Sequence, residues 1–485
     1  MLSLKKIYFD TNEDFFCYIN KSSPIVLEQG FFATQRIQVD KIVAELVLVD
    51  FLEDNEIALS NIAFNELGYK EGTKIKVSHI PQIKSYVGVK KKILGLEINK
   101  KEMFDIVSDI TKGYYTKAQI AAFCASCDLS FDEIAHMTDA MVNVGTKLEW
   151  GYDMVVDKHC IGGVPGNRTT NIAIPIIASY GLYSPKSSSR AITSPSGTAD
   201  TMEVLCKVDL SPEEVEKVVK KNNACIVWGG SVGLSPADHI LIELRKEISV
   251  DSEGLMVASV LSKKIAAGST HVLVVIPVGS SVKAKTMDDY NRLKELFEKV
   301  GERLNIKVQC IYENGTQPIG NGIGPALEAK DILKVLKNHP DAPQDLKRIA
   351  LELTAPILEF DHKNVKKGEG LKLAQELLES GKAYKKFMDI VESQGRHDGI
   401  PSAKIQHDVI ADKNGEVISF ENKKLAKMCQ IVGCPTVKEA GLYLHKHIGN
   451  KVRKGDKLFT IHTNSQGELK QALEYLNSES IMEVQ

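Results

Sequence analysis

Apolar residues recur at spacings of three and four over Lys101–Thr111, Lys117–Ala125 and Phe131–Val144. That period predicts three amphipathic helices, and Thr116 and Ser130 stand where two of them need N-caps. Ahead of them, Ile25–Leu27 and Ile42–Val49 are short and β-branched, with Gly68 and Gly72 as punctuation. Residues 1–88 are therefore expected to form a β-rich N-terminal domain. From 155 to about 400, strand-like runs such as His271–Val278 alternate with helix-like stretches. Asn171–Tyr180, Pro212–Lys221 and Tyr290–Leu304 are examples, and the alternation predicts an α/β sheet domain. Beyond 405, Val409–Ala411, Val417–Phe420 and Lys457–His462 read as strands and Leu469–Leu476 as a helix, an α+β region over 405–485. No internal repeat is evident.

Composition narrows the class more than it adds chemistry. The 485 residues suffice for two to four domains, with 43% hydrophobic and 26% charged residues. A net charge of −2 gives no bulk attraction for nucleic acid or an anionic membrane, so neither is expected as a partner. The first residues, Met1–Lys6, lack the apolar core of a signal peptide, and no apolar run reaches transmembrane length. The nine cysteines are scattered, and the single CxxC, Cys124 to Cys127, lies in a predicted helix, where core packing is the simplest role. A reduced, cytoplasmic setting is expected. The basic clusters Lys90–Lys92 and His362–Lys367 read as solvated loops.

Candidate chemistry concentrates between Asp157 and Asp200. A first loop carries Lys158, His159, Cys160, Gly162, Gly163 and Gly166; a second carries Ser188, Ser189, Arg190, Ala191, Ile192, Thr193, Ser194, Ser196 and Thr198. Glycines let backbone N–H groups crowd an anion, and a lysine with small hydroxyls completes the cage. Six hydroxyls are too many for a core strand, so the pair of loops reads as a phosphate or sugar-phosphate cradle. Further on, helical spacing from Gly254 to Ile265 puts Ser259 and Lys263 on one face. There they could bind the carbonyl edge of a base or simply be solvated. Asp251, just before that helix, fits a cap-region carboxylate or a proton donor equally.

Three motifs together resemble the thymidine/pyrimidine-nucleoside phosphorylases: Asp157-Lys158-His159 with its glycine loop, Ser188 to Asp200, and Ala258 to Lys264. Gly162–Asn167, Ser189–Ser194 and Gln317–Gly320 leading to Gly324–Glu328 are similar to the branch with an extra N-terminal domain, which also contains AMP phosphorylases. The resemblance covers nearly the whole chain and is weakest before about residue 90. It implies phosphorolysis of a nucleoside, with release of base and pentose 1-phosphate. It implies an α/β phosphate-binding domain over 155–230 and 270–400 and a helical, base-side domain over 96–150 and 235–267. Lys158, Thr170, Ser188 and Thr198 match phosphate-binding positions of the family. His159, Arg245, Ser259 and Lys263 match base-contacting ones. In AMP phosphorylases the substrate positions correspond to Gly163, Ser189 to Ser194, Thr198, Ser259 and Lys283, and the proton donor to Asp251. Among these, Asp251, His159 and Lys263 are the expected catalytic groups. Inorganic phosphate is a co-substrate, no metal or organic cofactor is implied, and at least a homodimer is expected.

Two positions depart from the pattern. Cys160 stands where the family usually has Ser, and a thiol is a larger and weaker donor. Ser194 stands where other thymidine phosphorylases carry a His. The opening of the chain (Ile7–Thr11, Glu28–Phe31, Arg36–Val39) is similar to bacterial members assigned as thymidine phosphorylases. Thymidine is thus the expected substrate, with nucleoside 5′-monophosphates such as AMP as the alternative. A phosphoribosyltransferase of the anthranilate type and a non-catalytic assembly protein are the two other readings.

Overall fold

The structure, a computed structural model, describes residues 1–11, 14–191 and 194–485. It divides into two compact units: Met1–Ala140 with Ala237–Ser252, and Met141–Pro236 with Glu253–Gln485.

The first unit begins with a mixed seven-stranded sheet. Its order is Lys74–Ile75, Leu2–Lys6, Glu56–Leu59, Phe16–Asn20, Ile42–Val49, Arg36–Val39 and Val77–His79. Leu4, Ile19, Ile37, Ile57 and Leu59 are fully buried in its core. Ile25–Leu27, expected as a strand, instead lies in the helix Pro24–Gln29. Pro24 pre-sets the first helical φ, and Gly30 closes the turn at a φ of 65°. The predicted helices follow as Lys100–Thr111, Lys117–Ala125 and Phe131–Asn143. Thr116 Oγ1 accepts a hydrogen bond from the Gln119 N–H, and Gln119 Oε1 accepts one from the Thr116 N–H, a reciprocal cap. Lys90–Lys92 is not a loop. It lies in the helix Tyr86–Ile93, and Lys92 is buried 2.9 Å from the Glu133 carboxylate. Cys124 and Cys127 are buried as expected of packing residues, and burial pushes the Cys124 thiol up to about 11.

The second unit is built on parallel strands. Ala224–Trp228 pairs with Ser184–Ser188, and Val156–Cys160 pairs with His271–Val278, which pairs with Lys307–Asn314. A parallel bridge from Val155 to Tyr183 joins the two sets. The strand Val272–Ile276 is buried without interruption, as a sheet covered on both faces requires. The helix Thr169–Tyr180 is buried from Thr169 to Ala178 and packs in the main core with Gln344–Leu358 and Lys382–Ser393. The helix Glu253–Ala266, expected with the helical domain, falls in this second unit. The C-terminal region adds an antiparallel sheet in the order Gly322–Ile323, Gly441–Leu444, Lys457–Thr463, Ile405–Ile410. A three-stranded sheet, Lys451–Val452, Gly415–Phe420 and Met482–Val484, accompanies it. The fold is thus α/β with a helical part, a β-rich N-terminal sheet and an α+β C-terminal region.

Candidate active site

The strand Val156–Cys160 ends in a glycine loop that leads directly into the helix Thr169–Tyr180. Parallel strands deliver such loops to the edge where their carboxyl ends open, the usual place for ligands in open α/β sheets. Gly162, Gly163 and Gly166 all have positive φ. A Cβ on Gly166 would sit 2.3 Å from the Ile319 carbonyl oxygen, so only glycine fits there. Lys158 has 0% exposure, and its Nζ donates to Thr169 Oγ1 at 2.8 Å and to Thr170 Oγ1 at 3.4 Å. Burial pulls its ammonium below the ordinary lysine value, while the Cys160 thiol and Glu313 pull the other way. A buried cation, two hydroxyls and a helix N-terminus converge here, and that combination suits an anion.

Sequence reasoning passed over the groups that hold this corner. Thr169 lies closer to Lys158 than the expected Thr170 does. Thr169 Oγ1 also donates to Asn167 Oδ1 at 2.8 Å, and Asn167 Nδ2 donates to the buried Glu313 at 3.2 Å. Cys160 Sγ receives a long contact from Asn167 Nδ2 at 3.6 Å, and burial pushes its thiol up to about 11. Asp157, fully buried, pairs with Lys186 at 3.1 Å and Lys264 at 2.7 Å. Lys186 Nζ donates to the Lys158 carbonyl at 2.8 Å, and Lys264 Nζ to the Ser187 carbonyl at 3.2 Å. One carboxylate thus pins two lysines to the backbones of the strands bearing Lys158 and Ser188.

The hydroxyl loop is internally braced. Asp200 Oδ2 accepts from the N–H groups of Ala191, at 2.7 Å, and Gly197, at 2.8 Å. Arg190 reaches Glu203 at 2.7 and 2.8 Å and stacks 5.0 Å from the Trp228 ring, so its guanidinium holds the loop. Ser194 Oγ donates to the Ser196 carbonyl at 2.9 Å, and Ser188 Oγ to the Ser189 carbonyl at 3.3 Å. Thr198 opens the short helix Thr198–Glu203. Ile192 and Thr193 lie outside the described residues. Arg168 ties the two loops together: it pairs with the buried Glu328 and donates to the Ser196 carbonyl. Glu328 also accepts from Thr201 Oγ1 at 3.1 Å and the Gly324 N–H at 3.1 Å.

On the helix Glu253–Ala266, Lys263 Nζ donates to Ser259 Oγ at 3.1 Å. His159 feels Lys264, Lys186, Lys263 and Lys283, and desolvation with those charges holds its imidazole well below the usual value. A neutral ring can both donate and accept. Lys283 Nζ lies 3.5 Å from Met256 Sδ on the same helix. Lys158, His159, Gly163, Thr170, Ser188, Ser189, Arg190, Ala191, Ser194, Thr198, Ser259, Lys263 and Lys283 all belong to the second unit. Arg245 and Asp251 belong to the first. Arg245, on the helix Pro236–Glu247, has enclosed Nε and Nη1 atoms with no hydrogen-bond partner among the described residues. Asp251 is exposed.

Comparison with known proteins agrees with this organisation. Residues 152–384 match the glycosyl transferase family a/b domain, 89–145 its helical bundle domain, and 434–483 the pyrimidine nucleoside phosphorylase C-terminal domain. A Legionella pneumophila protein named "Putative thymidine phosphorylase" is 45% identical over 98% of this chain and 93% of its own length. Proteins of the same name from Polaromonas sp. and Ralstonia nicotianae are 42% and 41% identical, over 99% and 98% of this chain and 95% of theirs. Among solved structures, anthranilate phosphoribosyltransferase from Thermus thermophilus aligns with a TM-score of 0.52 at 19% identity. That alignment covers 63% of this chain and 99% of that one. The Saccharomyces cerevisiae enzyme, solved with PRPP and Mg, gives 0.52 at 16% identity over 64% of this chain and 97% of its own. These two show a shared fold.

Proposed function

We propose that this chain, which belongs to the thymidine/pyrimidine-nucleoside phosphorylase family of pentosyltransferases, splits thymidine with inorganic phosphate into thymine and 2-deoxyribose 1-phosphate. The observation that carries the reading is the fully buried Lys158 in the strand Val156–Cys160, beside Thr169, Thr170 and a glycine-forced turn. A buried ammonium of this kind needs a counter-charge, and a phosphate dianion supplies it. Relatives at 41–45% identity that carry the thymidine phosphorylase name support the substrate.

In this reading a phosphate oxygen attacks C1′ as the C1′–N bond breaks, and the electron pair leaves with the base. The base then takes up a proton. Lys158 with the two threonines orients the phosphate, and the phosphate's own negative charge balances the cationic sugar centre. Lys263 and Ser259 face the leaving base, and His159, kept neutral, offers a hydrogen bond without adding charge. Such preorganised contacts each contribute ~10²–10³ in rate. Base contact by Arg245 and proton donation by Asp251 follow from family resemblance, and substitution of each tests them.

The test is release of free base from thymidine, uridine, AMP, CMP and UMP with phosphate. Thymine from thymidine alone is expected. Base released only from the monophosphates would overturn the substrate and assign the Ser188–Ser194 hydroxyls to a 5′-phosphate. Phosphate-independent activity that needs magnesium and a diphosphorylated sugar would overturn the reaction.

A further inference from the structure

Away from these loops, within the second unit, the structure holds a cavity of about 630 Å³. That volume lies in the range of small-molecule sites. One wall is the helix Pro325–Leu336, whose Lys330, Lys334 and the capping Lys337 fall at i, i+4 and i+7 on one face. The floor is a sheet face from the C-terminal region. Gln406 pairs with His462, and Asp408 and Tyr443 both pair with Thr460, so all five side chains share that face. The other face carries Leu442, Leu444, Phe459 and Ile461, each at most 2% exposed, into the C-terminal core.

The charges do not balance. Asp408 is the one acidic lining residue, and it is already taken: Lys457 lies 2.6 Å from it and Thr460 Oγ1 donates to it at 2.6 Å. Among the described residues Lys330 reaches only Ser402 Oγ, at 3.0 Å. Lys334 and Lys337 stand over the rings of Tyr443 and Tyr384, 5.7 and 5.4 Å from their centres. None of these three has an ion-pair partner among the described residues. A helix carboxyl end accommodates lysines. It does not account for Lys330 two residues past Glu328, nor for the convergence of Lys457, His445 and His462 from a separate sheet.

We propose that this cavity is a second anion site, distinct from the Lys158 corner, that binds a linked polyphosphate chain. Three ammonium groups along one helical ridge, with no ion-pair partner among the described residues, suit a chain that carries several negative charges. Tyr443 and His445, packed edge to face with ring centres 5.3 Å apart, form one apolar patch of the lining against which an organic group attached to the chain would lie.

Calorimetric titration of the full chain, in saturating inorganic phosphate so that the Lys158 corner is occupied, tests this. ATP and inorganic tripolyphosphate are the two probes. Saturable binding of both supports recognition of the chain itself, and binding of ATP alone supports recognition of the ester. The triple variant Lys330→Ala, Lys334→Ala, Lys337→Ala is expected to weaken binding at least tenfold and to keep its thermal unfolding and its thymidine turnover. Binding should also fall steeply with added salt. No saturable binding of either probe, or binding that survives the triple variant and disappears in Lys158→Ala, would overturn the proposal.

Discussion

Lys158 takes a positive charge to a place with no exposure, where its Nζ meets two threonine hydroxyls from the next helix. Lys158→Ala is expected to lower phosphorolysis by ~10²–10³-fold. Lys158→Arg should do nearly as badly, because a planar fork does not fit a site shaped around a point charge; steady-state rates at varied phosphate check both. Cys160 makes a second test. With its thiol near 11, roughly one in 3,000 is ionised at pH 7.5, so iodoacetamide should label it slowly in the folded protein. Cys160→Ser should lower the KM for phosphate several-fold with little change in melting temperature. Lys158 and the glycines were legible because a cationic residue beside three glycines has few uses. Glu313, Asn167 and Lys186 were not, since their roles arise from strands distant in sequence that come together only in the sheet.

The glycine loop and the hydroxyl loop are separate in sequence, and Arg168 with Glu328 makes them one element. Glu328→Gln leaves Arg168 buried without a counter-charge and should cost about 3–5 kcal/mol, read as a shift in denaturant midpoint. Gly166→Ala forces a Cβ against the Ile319 carbonyl at 2.3 Å, at a φ of 72°. It should weaken phosphate binding even where the chain still folds. The helix Lys117–Ala125 was readable from its cap, Thr116, and Lys100–Thr111 from its period, with Met103, Ile106, Val107 and Ile110 buried along one face. The three-residue run Ile25–Leu27 was not, because so short an apolar stretch fits strand or helix, and Pro24 and Gly30 decided for helix. Lys90–Lys92 was misread for the converse reason: composition cannot show that Glu133 waits for one of the three.

All nine cysteines are free, and eight of them are buried. Burial pushes Cys124 and Cys160 up to about 11 and Cys206 to about 12, with Cys17, Cys225 and Cys310 further up. Above pH about 9 the unfolded chain sheds these protons and the folded one keeps them, so stability falls as pH rises toward 11. The loss should be on the order of 1–2 kcal/mol per thiol by pH 10.5, visible as a melting temperature well below that at pH 8. The succession of β-rich, helical, α/β and α+β regions was legible from changes of period. The placement of Glu253–Ala266 was not, because its 11 buried residues, Gly254 among them, read the same whichever core they enter. That helix has a counterpart of greater consequence in Pro325–Leu336, whose first turn holds Glu328 against Arg168 and whose later turns present Lys330 and Lys334. A single rod about 18 Å long therefore underlies both proposed anion sites. Whatever factor one occupant imposes on the affinity of the other must be returned in equal measure. Two titrations run in opposite order close that thermodynamic square and give the coupling as one number.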